Sequence, residues 1–131
     1  KQIIKNMKAM SDTLKESGVK IVSDGTDNHL ILVDVKTSFG LTGKVAEKVL
    51  DEIHITCNKN TIPFDTESPF ITSGIRIGSA AMTTRGLKEK EFKLIAEIIY
   101  KSLSNVDNKE IQDECMEKVL KLTNEFPIYK K

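Results

Sequence analysis

Ile3, Met7, Met10 and Leu14 recur at helical spacing and Gly18 follows them, which predicts an amphipathic helix over residues 2–17 that stops at the glycine. Val19-Lys20-Ile21-Val22 reads as a short strand, closed by the turn-forming Asp24-Gly25-Thr26-Asp27. The clearest strand runs from His29 to Val35, and its near-continuous apolar character predicts cover on both faces. Thr42 stands as the N-cap of a second helix, with Val45, Ala46, Val49, Leu50 and Ile53 along one stripe. His54 ends that helix, where an imidazole can meet the free carbonyls.

Ile55-Thr56-Cys57 reads as a brief strand leading into Asn58-Lys59-Asn60. From Thr61 to Phe70 periodicity fades and Pro63 and Pro69 intervene, so this stretch is expected as loop. Gly74-Ile75-Arg76-Ile77-Gly78 then alternates like a strand between two glycines. Phe92, Ile95, Ile99 and Leu103 define a long helix, and Asp107 and Glu110 have the spacing of a capping box before a last helix striped by Ile111, Cys115, Val119 and Leu122. Short strands among these helices predict a single α+β domain over 1–131, with a small, mostly antiparallel sheet and helices on one side.

The length of 131 residues suits one hydrophobic core. Twenty basic and nineteen acidic residues are interleaved to a net charge of +1, so no basic face points to nucleic acid. No apolar run approaches the ~18 residues of a membrane span. Cys57 and Cys115 are far apart, give no zinc-site spacing and fit near-core thiols in a reducing compartment. The chain opens on Lys1 straight into helical periodicity, without an initiator methionine or signal-type segment, which predicts a piece of a longer protein.

Residues 57–86 break the pattern. They are rich in Asn, Ser, Thr, Gly and Pro, and they hold both arginines, Arg76 and Arg85, whereas every other basic residue is a lysine. A guanidinium presents a planar fork suited to a carboxylate or phosphate. With Ile75 and Ile77 facing the core, Arg76 faces a cleft or solvent, and the flanking Gly74 and Gly78 leave room for a ligand or another backbone. An exposed arginine on a wet sheet face fits the same spacing, and Arg85 before Gly86 also fits a turn at a helix entrance. His29 fits a hydrogen-bonded structural imidazole.

Gly25-Thr26-Asp27-Asn28-His29-Leu30-Ile31-Leu32-Val33-Asp34, Gly40-Leu41-Thr42-Gly43, Thr56 to Asp65, Ser68-Pro69-Phe70-Ile71-Thr72-Ser73-Gly74-Ile75-Arg76-Ile77-Gly78 and Thr83-Thr84-Arg85-Gly86 occur in that order. Together they resemble the C-terminal small domain of serine hydroxymethyltransferase across roughly residues 19–96. Ser79-Ala80-Ala81 and Asp24 depart from the common pattern of that family.

The resemblance implies a fold-type I enzyme of one-carbon metabolism that interconverts serine and glycine, with pyridoxal 5'-phosphate as cofactor and tetrahydrofolate as one-carbon acceptor. It implies Arg76 as the arginine that grips the substrate carboxylate and Asn60, Ser68 and Phe70 as part of the folate site. Arg85 and His29 are expected as support for that site. Nothing in the chain resembles the family's cofactor-lysine segment or large cofactor-binding domain, so no catalytic residue and no metal ligand is expected here, and the piece alone is expected to be inactive. The parent is expected to be a cytoplasmic homodimer or dimer of dimers. Two other readings remain open: a stand-alone carboxylate-binding module using Arg76, and an interaction domain in which 57–86 is only a long loop.

Overall fold

A computed structural model of the chain describes residues 2–22, 30–62, 65–78 and 89–125. Among them, strand β3 (Gly74–Gly78) runs between β1 (Leu30–Asp34) and β2 (Asn58–Asn60), both antiparallel to it, in the order β1-β3-β2. The register pairs Leu32 and Asn58 with Arg76, and Val33 and Lys59 with Ile75. Ile31, Val33, Ile75 and Ile77 are buried on one face, so the alternation expected for residues 74–78 is borne out.

α1 (Gln2–Glu16) and α3 (Gly43–Glu52) pack on the sheet, α4 (Glu89–Leu103) packs on α1 and α3, and α5 (Lys109–Glu125) packs on α4. The helices follow the sequence stripes. Met7, Met10 and Leu14 of α1, Ala46 and Leu50 of α3, and Phe92, Ile95, Ile99 and Leu103 of α4 are all buried. Each large side chain so buried contributes about 1.5–3 kcal/mol relative to leaving it in water. Val45, on the expected α3 stripe, instead stays exposed. Cys57 and Cys115 are buried free thiols, as expected. The architecture is the α+β layer anticipated, a small antiparallel sheet with helices on one side.

Helix ends explain several boundaries. Gly18 has φ +92 and its N–H reaches the Lys15 carbonyl, while Val19 N–H reaches that of Leu14, which closes α1. The same two-bond closure ends α3, with His54 at φ +69 donating its backbone N–H to Asp51 and Ile55 donating to Leu50. The backbone therefore meets these carbonyls, and the imidazole is not needed for it.

Four expectations are corrected. Residues 19–22 form only a bridge, Ile21 to Val33, at the outer edge of β1. The main strand stops at Asp34, because its carboxylate caps a short helix α2 (Val35–Phe39), accepting from Thr37 N and Thr37 Oγ1 at 2.9 and 2.7 Å. Ile55 and Cys57 are buried, yet the sheet rung is made by Asn58–Asn60. The cap of α5 is Asn108, whose Oδ1 accepts from Ile111 N at 3.2 Å, so Asp107 and Glu110 form no capping box.

Candidate functional site

The sheet face turned away from the helices carries Arg76 at its centre, with Asn58 beside it on β2 and Leu32 beside it on β1. Arg76 is exposed, whereas its neighbours Ile75 and Ile77 are fully buried. Among the described residues no carboxylate pairs with its guanidinium. Two ladders fix its backbone, so the side chain projects from the most constrained strand of the sheet.

Asn60 lies one rung along on the same face, opposite Gly74, and its side-chain amide donates to the Thr61 carbonyl at 2.8 Å. The room expected at Gly74 is already taken. A Cβ there would lie 2.6 Å from Ile62 Cγ2 and 2.9 Å from the Val33 carbonyl oxygen, so the glycine admits the chain's own loop rather than a ligand.

The loop from 65 to 73 closes over this end of the sheet. Its hub is Asp65, which sequence reasoning did not single out. Asp65 Oδ1 accepts from Glu67 N at 2.8 Å and Ser73 Oγ at 2.7 Å, and Oδ2 accepts from Ser73 N at 2.9 Å and Ile62 N at 3.2 Å. Partial desolvation works against the charge, but the bonds from Ser73 and from the Glu67 and Ile62 N–H groups outweigh it and draw the carboxyl down to about 2. The spacing from Asp65 to the Glu67 N–H is that of an Asx turn, the one signal in the sequence that marks it.

The far end of the loop docks on the start of α3. Gly43 N donates to the Thr72 carbonyl at 2.9 Å and Lys44 N to that of Ile71 at 3.0 Å, while Thr42 Oγ1 takes Val45 N at 3.3 Å. A Cβ on Gly43 would collide with Thr72 Oγ1 and the Gly74 carbonyl oxygen. Thr72 is buried with φ +60, an outlier for a β-branched residue, and its hydroxyl donates to the Gly74 carbonyl at 3.0 Å. The other side is tied by Lys36, whose N–H meets the Ser73 carbonyl and whose ammonium reaches Glu67 and Thr66. Ser68 sits inside this frame, its carbonyl accepting from Ile71 and Thr72. Phe70 stands out from it, 82 % exposed.

The structure thus brings Arg76 and Asn60 onto one sheet face and sets Ser68 and Phe70 on the loop joined to it. Arg85, His29 and the Thr83 to Gly86 motif lie outside the described residues, as do Pro63 and Phe64. Depressions of about 300, 290 and 370 Å³ lie along α3, α4 and α5, and none is lined by Arg76, Asn60, Ser68 or Phe70. Among the described residues no group of His, Cys, Asp and Glu is placed to hold a metal, and no helix is long and apolar enough to cross a membrane.

A guanidinium on a rigid strand, flanked by amides and by a framed polar loop with an exposed aromatic ring, defines a unit able to present a fork to a planar anion. The family model for serine hydroxymethyltransferase matches residues 1–99, from α1 through most of α4. The chain belongs to the serine hydroxymethyltransferase family, a family of transferases.

Proposed function

We propose that the chain is the C-terminal small domain of a serine hydroxymethyltransferase, and that it supplies the arginine for the substrate carboxylate and one wall of the folate site. The observation that carries this reading is Arg76: exposed, unpaired among the described residues, and held at the centre of the sheet by strands on both sides. A serine or glycine carboxylate accepts two parallel N–H bonds from such a fork. Asn60, Ser68 and Phe70 offer an amide, a hydroxyl and an aromatic face to the pterin of tetrahydrofolate, with Arg85 and His29 as support. The whole enzyme is read as a cytoplasmic homodimer or dimer of dimers.

Pyridoxal phosphate would supply the electron sink for bond making and breaking at the amino acid's carbons. The described residues do not fit its phosphate. The start of α3 is a natural anion seat, but its N–H groups at Gly43, Lys44 and Val45 are engaged by Thr72, Ile71 and Thr42. In this reading the cofactor seat belongs to the enzyme's large domain, and the 131-residue chain alone catalyses no serine–glycine exchange.

The test uses the intact enzyme. Arg76→Ala should weaken serine binding by about 2–5 kcal/mol, roughly 30- to several-thousand-fold. Arg76→Lys keeps the charge without the fork and should recover little of it. Melting temperature and cofactor absorbance should barely change. Normal serine binding by the alanine variant, or its unfolding, would make Arg76 a structural residue.

A further inference from the structure

Arg76 and the loop of Ser68 and Phe70 are held in place by different means. Arg76 is fixed by the β1 and β2 ladders, which do not involve Asp65. The loop is fixed at its origin by one carboxylate that gathers Ile62, Glu67 and Ser73, so that Ser68 and Phe70 lie inside the turn Asp65 closes. Lys36 adds bonds at Thr66 and Glu67 and the start of α3 adds bonds at Ile71 and Thr72, but among the described residues Asp65 alone joins the two ends of the loop directly to each other. Each Asp65 oxygen accepts two bonds. An amide nitrogen in place of Oδ2 would face the Ser73 and Ile62 N–H donors, and one in place of Oδ1 would face the Glu67 N–H.

We propose that Asp65 is a positioning residue for the folate wall: its charged carboxylate holds Ser68 and Phe70 where a reduced folate meets them, and it leaves the grip of Arg76 on the substrate carboxylate untouched. This rests on the reading of the loop as a folate wall given above. The role is separable from general stability, because a purely structural aspartate would lower the melting temperature without dividing the two ligands.

The experiment is calorimetric titration of the intact enzyme with serine and with 5-formyltetrahydrofolate, for the unaltered protein and for Asp65→Asn, Ser73→Ala and Phe70→Ala, well below each variant's melting temperature. Asp65→Asn should weaken the folate at least tenfold while serine affinity stays within about twofold. Ser73→Ala keeps the backbone donor and loses one bond, so a smaller loss of about threefold is expected, and it carries the test should Asp65→Asn fail to fold. If Phe70→Ala weakens folate but neither Asp65→Asn nor Ser73→Ala does, the positioning role is wrong and the folate wall stands. If all three bind folate normally, the folate wall itself is wrong and the proposal falls with it. Equal loss of serine and folate by Asp65→Asn would also overturn it.

Discussion

Gly43 offers the sharpest test of how α3 and the loop are joined. In a free helix start, alanine in place of glycine would stabilise by up to about 1 kcal/mol. Here the added methyl would collide with Thr72 Oγ1 and the Gly74 carbonyl oxygen. Thr72 can rotate its hydroxyl away, but a backbone carbonyl at the head of β3 cannot move without shifting the strand. Overpacking of this kind costs about 1–3 kcal/mol. Displacement would also stretch the Gly43 and Lys44 N–H bonds to Thr72 and Ile71, each contributing about 0.5–1.5 kcal/mol. Set against the propensity gain, Gly43→Ala should destabilise by about 2–4 kcal/mol, a fall in Tm of roughly 6–16 °C. Urea unfolding and thermal melts followed by circular dichroism measure it. Gly18→Ala is the control: its φ is +92 with open space around it, so only the left-handed backbone penalty of about 1–2 kcal/mol applies. Adding Thr72→Ala to Gly43→Ala should not restore stability, since the carbonyl remains. A Gly43→Ala protein as stable as the unaltered one would show that α3 does not bear on the loop as closely as described.

Asp65, drawn down to about 2 from 3.8, stabilises the fold fully above the ordinary carboxylate value, and that contribution is lost as pH falls from about 4 toward 2. The stability gap between the unaltered protein and Asp65→Asn in urea should therefore shrink over that window, and a gap equal at pH 6 and pH 2.5 would refute the charged hub. Among the described residues nothing hydrogen-bonds the buried Ser11 Oγ of α1, so Ser11→Ala should stabilise by roughly 1 kcal/mol in the same assay, and a loss of stability would mean the hydroxyl is satisfied. Burial, aided by Glu47 and Asp51, pushes the Cys57 thiol up to about 12, and burial raises Cys115 too. Neither should react with a disulfide reagent at pH 8 until the protein unfolds. The contribution of Cys57 is complete below 9 and fades as pH climbs from there toward 12.

Long elements were legible because their apolar spacing is sustained: Met7, Met10 and Leu14 of α1, the α4 stripe and the Gly74–Gly78 alternation emerge as read. Short ones were not. The five residues of α2 are too few for a period, although Asp34 and Gly40 (φ +71) bracket them with a cap at each end. Ile55 and Cys57 alternate as a strand should, but pairing is decided by what β3 faces, and β3 faces the polar Asn58–Asn60. Between Asp107 and Asn108, two residues of equal capping aptitude, only the three-dimensional path of the chain chooses. At the site, Arg76 was legible from residue type and alternation. Asp65 was not, because its four donors come from positions 62, 67 and 73 and converge only when the loop is closed. The demand on Gly43 is likewise invisible along the chain, since its obstacle lies some thirty residues on.

The strand order has a kinetic meaning. β3 cannot acquire both neighbours by local zipping: β2 lies a loop away, but β1 is separated from it by the whole stretch that forms α2, α3 and β2. That closure spends chain entropy before the pairing rewards it, so the β1–β3 ladder is expected to form late in folding. The same arrangement works in reverse once the protein is folded. Freeing the guanidinium-bearing strand means breaking two ladders at once and parting Ile75 and Ile77 from the core. Its amides are therefore expected to exchange with solvent only through global opening.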